Sequence, residues 1–282
     1  MSITAFVDRS DQPFNPTRGY VARIDMEYAS RFTLSNYQYN RAFLDAAAYW
    51  HPSGRLSVLA GHLRVGYVHP LGTTHGDTVI HPRKRFYSGG SMSVRGYGEN
   101  QLGPRVLTID PDSLRFDTGP DGKLIVLCDP VIPITQCNPN VIEKDKRFQP
   151  RPVGGTSLLE GSVEFRFPLQ APKLFGAVFV DAGIVGESRL GSFGAVRNFA
   201  DLIGVTAAIT PGFGVRYNSP VGPIRVDFGY QPPLTEDLIV ITNENRNGQE
   251  VLVPLNQTRR FGLDKKTLLS RLVLHFSIGQ AY

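Results

Sequence analysis

The chain has 282 residues, is 41% hydrophobic and 20% charged, and carries a formal net charge of +5. No run approaches the roughly 18 apolar residues of a membrane-crossing helix, which excludes a helical membrane protein but leaves room for a transmembrane barrel, whose lumen-facing half is polar. The positive charge is spread rather than clustered, so no nucleic-acid partner is expected.

Residues 1–10, MSITAFVDRS, have neither the basic start nor the apolar run of a secretory signal. A first strand is predicted at about 3–8. In YVARIDMEY (20–28), Tyr20, Ala22, Ile24, Met26 and Tyr28 fall on one face, opposite Arg23, Asp25 and Glu27, which predicts a strand over about 18–32. Strands over about 37–50 and 55–70 follow. The second of these alternates poorly, because His62 and Arg64 share parity with Leu56 and Val58. Residues 71–155 show no clear periodicity and are expected as one long loop, a length that marks functional or disordered connections.

Alternation then resumes. In LLEGSVEFRFPL (158–169), Val163, Phe165 and Phe167 oppose Glu160, Ser162, Glu164 and Arg166, within a strand predicted over about 156–169. Over about 174–186, Phe175, Ala177, Phe179 and Asp181 oppose Val178, Val180, Ala182 and Ile184. A strand over about 203–218 follows. In PIRVDFGY (223–230), Ile224, Val226, Phe228 and Tyr230 oppose Arg225, Asp227 and Gly229, within about 223–231. The last strand, about 269–281, sets Leu272, Leu274, Phe276 and Ile278 against His275, Ser277 and Gly279. This makes about nine strands and no sustained helical repeat: the chain is predicted to be all-β.

Odd-numbered connections are short or turn-like (SDQPFNPT, HPSG, QAPK, SPVG). Even-numbered ones are longer or more variable, residues 71–155, 187–202 and 232–268 among them. Short turns on one rim and long loops on the other are the asymmetry of an outer-membrane barrel. A soluble β-sandwich could show the same strand pattern without that asymmetry.

The glycine-rich stretch YSGGSMSVRGYGENQLGP (87–104) surrounds one arginine, Arg95. It does not end in Gly-Lys-Ser/Thr, and Gly96–Tyr97–Gly98 is not followed by a third glycine at dinucleotide-fold spacing, so nucleotide chemistry is not expected. His62, His69, His75 and His81 are spaced by six or seven residues, which fits no tight metal-ligand pair. No metal, cofactor or nucleophile–base arrangement is predicted. Cys128 and Cys137, nine apart, fit a disulfide in an oxidising compartment or two free thiols in a reducing one.

Four motifs in order resemble the barrel of the bacterial surface antigen superfamily, the outer-membrane assembly factors of BamA- and TamA-like type together with the two-partner secretion transporters. They are NPTRGY (15–20); FYSGGSMSVRGYGENQLGP (86–104), with its Val94–Arg95–Gly96–Tyr97 tip; EFRFPL (164–169) followed by FGAVFVDAGIVG (175–186); and PGFGVRYNSPVGPIRVDFGY (211–230) before a C-terminal strand ending in an aromatic. The resemblance covers essentially the whole chain. It implies a transmembrane antiparallel barrel of the outer membrane, of which residues 1–282 are the C-terminal portion, about nine strands of sixteen. It implies that the extracellular loop at about 71–155 folds into the lumen, and that Arg95 meets Glu164 and Asp181 there. A guanidinium fork can serve two carboxylates, and the neighbouring glycines let the backbone approach the wall.

The resemblance further implies a Cys128–Cys137 disulfide, and a terminal strand that forms one lip of a seam, with Gly279 able to bend it and Tyr282 closing the targeting signal. The implied function is insertion of outer-membrane proteins or translocation of polypeptides, without catalysis. Its partners would be membrane lipid, unfolded or secreted polypeptides, and N-terminal barrel strands and periplasmic domains upstream of Met1. The alternatives are a passive porin or receptor barrel, and the barrel tail of a surface-exposed enzyme.

Overall fold

A computed structural model describes residues 1–33, 35, 37–52, 56–71, 80–142, 147–186, 208–220, 222–233, 235–246, 248–262 and 267–278. In chain order its strands are β1 (Ser2–Asp8), β2 (Gly19–Ala29), β3 (Tyr39–Trp50), β4 (Val58–Pro70), β5 (Arg105–Thr108), β6 (Phe116–Thr118), β7 (Leu124–Val126) and β8 (Gln149–Pro152). They continue with β9 (Ser157–Gln170), β10 (Leu174–Gly186), β11 (Ala208–Ser219), β12 (Gly222–Tyr230), β13 (Thr235–Arg246), β14 (Gln249–Gly262) and β15 (Leu272–Ile278). These residues form two compact units. One comprises Met1–Pro104, Gly154–Pro232 and Thr267–Tyr282; the other comprises Arg105–Val153 and Pro233–Lys266.

The first unit is built on a nine-stranded antiparallel sheet in the order β1-β2-β3-β4-β9-β10-β11-β12-β15. Its two faces invert the usual pattern of a soluble protein. On one face Val163, Phe165, Val178, Val180, Phe213, Leu274, Phe276 and Ile278 stay exposed. On the other, Glu164, Asp181, Thr210, Arg216, Arg225 and Asp227 are buried. A contiguous exposed apolar band of this extent marks an interaction surface, and hydrocarbon is the solvent that suits it. Among the described residues, β1 and β15 pair with no strand on their outer sides.

The weakly alternating segment at 55–70 is a regular strand, paired with β3 and β9. Its mixed face is the inner one: Val58 and Ala60 are buried there, His62 bonds Asp45, and Arg64 bonds Glu160.

The connection between β1 and β2 is held by Asp11. Its carboxylate accepts from the Thr17 amide (2.8 Å), the Thr17 hydroxyl (2.6 Å) and the Arg18 amide (3.1 Å). Burial pushes this carboxyl up, but the bonds from Thr17 and Arg18 outweigh that and hold it below the ordinary value. A lowered folded-state pKa contributes stability above the unfolded value of about 3.9, and that contribution is lost as pH falls through the folded value. The Thr17 and Arg18 amide resonances are therefore expected to keep their positions down to about pH 4 and to shift together only below it. Independent titration at about the unfolded value would show that the staple is not formed.

The second unit differs from the expectation of featureless loops. Residues 232–268 contain a long hairpin, β13–β14, and residues 105–153 supply β5 and β8 to complete a four-stranded sheet in the order β14-β13-β5-β8. The sequence hides this hairpin for two reasons. LIVI (238–241) is a continuous apolar run with no period, and a register shift falls between Ile239 and Ile241. Pro254 also lies within β14, where a proline in the sequence argues against a strand. The core of this unit includes Leu107, Leu114, Phe148, Val240, Leu255 and both cysteines.

Candidate functional site

The site lies on the buried polar face of the nine-stranded sheet, where residues 80–104 lie against it. Val94, Arg95 and Tyr97 are each 1% exposed, although they belong to a connecting segment. A segment lying on a flat sheet would leave its far side open, so the sheet curls around this one. Lys84 reaches Glu27 of β2 (2.7 Å) and Arg95 reaches strands as far as β15, which requires the same curl.

Strand pairing brings the acceptors for Arg95 together. Directly paired residues of antiparallel strands share a face. Glu164 pairs with Phe179, Ser162 with Asp181, and Asp181 with Thr210. Arg95 donates to Asp181 through Nε (2.8 Å), a terminal nitrogen (2.8 Å) and its own backbone amide (3.0 Å). Its other terminal nitrogen donates to Glu164 at 2.5 Å and lies 3.6 Å from Asp227. The Phe179 ring lies beneath the guanidinium, 3.3 Å from its carbon, in a cation–π contact. Ser162 also donates to Asp181 (2.6 Å), at the same carboxylate oxygen that the Arg95 terminal nitrogen reaches.

Sequence reasoning named Arg95, Glu164 and Asp181 but missed the rest of the cluster. Arg216 and Arg225 are directly paired across β11 and β12, an arrangement that repels on its own. Asp227 relieves it, accepting from Arg216 (2.5 Å) and Arg225 (3.0 Å). Glu164 also accepts from Arg216 (2.9 Å) and Arg166 (2.8 Å). Four guanidiniums thus surround three carboxylates. The available signal was parity: Ser162 and Arg166 share a face with Glu164, and Arg225 with Asp227.

Backbone approach is the other half of the arrangement. A Cβ on Gly229 of β12 would stand 2.1 Å from the Arg95 carbonyl oxygen. A Cβ on Gly96 would stand 2.3 Å from the Thr210 methyl and 2.6 Å from the Tyr230 oxygen. The tip and the sheet therefore touch main chain to main chain, which only glycine permits. The Arg95 carbonyl is also bonded by His275 Nε2 of β15 at 2.9 Å. The tip thus engages β9, β10, β11, β12 and β15 at once.

A second polar group lies further along the same face. Ser93 donates to Glu160 (2.6 Å), which accepts from Arg64 (2.7 Å). Of the histidines considered as ligands, His62 bonds Asp45 (2.7 Å), His69 stacks on Tyr67, and His81 caps a short helix by accepting from the Arg83 amide. His75 lies outside the described residues, as do Gly279 and Tyr282.

Cys128 and Cys137 belong to the second unit, joined by a disulfide with Cα atoms 5.6 Å apart. Both are buried in that unit's core. The closed ring is short, so replacing both with serine should cost that unit about 2–3 kcal/mol and leave the nine-stranded sheet intact. Mass spectrometry without reduction checks the bond; two alkylatable thiols in protein from its native membrane would refute it.

An open curled antiparallel sheet with an apolar exposed face and an ion-paired loop on its polar face defines a transmembrane β-barrel wall. The chain matches the Omp85 superfamily domain over residues 1–281. It belongs to that superfamily. The crystal structure of BamA from Haemophilus ducreyi lacking POTRA domains 1–3 superimposes with a TM-score of 0.51 at 17% identity. The match covers 93% of this chain and 40% of that one, so the chain spans well under half the length of this relative.

Proposed function

We propose that this chain is the C-terminal portion of an outer-membrane barrel that inserts outer-membrane proteins or translocates polypeptides, and that it does so without catalysis. The observation that carries the reading is the Arg95 tip, docked through buried ion pairs to β9, β10 and β12 in a chain of the Omp85 superfamily. A passive pore needs a plugging loop but no such bond to its last strand. The His275–Arg95 contact links the docked tip to β15, whose outer edge has no strand partner among the described residues. An open edge offers its main-chain groups to an incoming strand. The clients are unfolded outer-membrane proteins or secreted polypeptides. Lipid covers the apolar face, and the disulfide-bearing unit lies on the extracellular side.

The test is reconstitution of the purified protein into liposomes with an unfolded barrel client. Client insertion is expected to accelerate over empty liposomes, and His275→Ala is expected to reduce that acceleration. Steady ion conductance with no effect on the client would instead mean a passive pore.

A further inference from the structure

A small cavity opens at the short-connection end of the polar face, where the β1–β2 connection meets β4, β9, β10 and β11. It holds about 100 Å³, room for about three waters at ~30 Å³ each. Arg166, Arg216, His51 and Asn15 form its polar wall; Val58 and Phe175 form its apolar wall. The connection is folded inward here, with Asn15 donating to Asn218 (3.4 Å) and the Pro16 carbonyl accepting from Arg166 (3.4 Å).

The cavity calls for negative charge. Both guanidiniums are buried, at 7% and 5% exposure. Among the described residues their cluster has one carboxylate fewer than it has arginines. The next acid on β9, Glu160, lies six residues from Arg166, roughly 20 Å along an extended strand, and it already serves Arg64. Donors are also left over. Arg166 uses Nε and one terminal nitrogen, so the second terminal nitrogen has no bond among the described residues. Arg216 Nε is buried without a partner. His51 engages only Nδ1, with the Ser57 carbonyl. An excess of buried positive charge and a buried donor without an acceptor, Arg216 Nε, are both unfavourable, and an anion in the cavity relieves both.

We propose that this cavity binds a carboxylate carried on a short apolar body. The planar carboxylate matches a guanidinium fork. The Val58 and Phe175 walls suit hydrocarbon better than the hydration shell of phosphate or chloride.

Isothermal titration of the folded protein in detergent, at constant ionic strength, tests this with isobutyrate, inorganic phosphate and chloride. Isobutyrate is expected to bind saturably and more tightly than the other two. Arg166→Gln should weaken it by about tenfold or more, the worth of a charged hydrogen bond. Because Arg166 also pairs with Glu164, Asn15→Ala serves as the second variant. It leaves the ion cluster intact and should weaken binding by about threefold or more. N-acetylvaline and its amide separate the sources. Tighter binding of the acid than of isobutyrate assigns the site to a peptide C-terminus; weaker binding assigns it to free carboxylic acids. No saturable isobutyrate binding by the unmutated protein, tighter binding of phosphate, or unchanged affinity in both variants would overturn the proposal.

Discussion

Arg95→Ala is expected to destabilise the docked loop by roughly 3–5 kcal/mol, the cost of breaking a buried pair from one side. Glu164 and Asp181 are 0% and 1% exposed, so their charges cannot turn to solvent. The variant removes two side-chain donors from Asp181 and one from Glu164, and leaves Glu164 to Arg166 and Arg216. Lysine should not rescue, because a single ammonium cannot reach both carboxylates or lie flat on Phe179. Asp181→Asn should fall in the same range, since it strands the arginine instead. Denaturant unfolding in detergent, read together with trypsin cleavage within residues 87–104, measures both changes. An Arg95→Lys variant as stable and protease-resistant as the parent would refute the fork argument.

Gly96→Ala is expected to undock the tip, whereas Gly98→Ala, two residues away, is expected to be tolerated. The added methyl at Gly96 meets Thr210 and the Tyr230 main chain, and a β-strand backbone cannot withdraw by an ångström without breaking its ladder. At Gly98 the same methyl meets only the Gln101 side chain, at 3.5 Å, an ordinary contact. The gap between the two variants should be about 1–3 kcal/mol or more. Gly229→Ala should behave like Gly96→Ala, because it strikes the same contact from the sheet side. Hydrogen exchange of the loop amides reads the difference. Equal protection in Gly96→Ala and Gly98→Ala would mean that the close approach is not made.

The strands of the main sheet were legible because each has one apolar and one polar face. Period two survives wherever the two sides of a sheet meet different surroundings. Residues 163–167 and 178–182 show this directly. The hairpin at 235–262 was not legible: LIVI has no alternation, and Pro254 reads as a breaker. For the site, parity placed Glu164 and Asp181 on one face, and the loop motif supplied Arg95. Parity also put Arg225 and Asp227 on one face of β12, but which face they shared with the tip depends on register, and register between strands far apart in sequence leaves no local mark. His275 is the clearest case. Its bond to a main-chain carbonyl 180 residues away has no side-chain pattern to betray it.

Docking of the Arg95 tip against the sheet wall is the central claim, and a designed cross-link tests it most directly. A Cβ at Gly183 of β10 would lie 2.6 Å from the Val94 Cγ2, close to where one sulfur of a bridging pair would stand. The double variant Val94→Cys with Gly183→Cys should therefore form a disulfide under mild oxidation in the folded protein. Peptide mapping would find residues 94 and 183 linked, with Cys128 and Cys137 still joined to each other as the internal control. If the 94 and 183 thiols both stay alkylatable while the native pair is intact and migration remains heat-modifiable, the tip is not docked where the account places it.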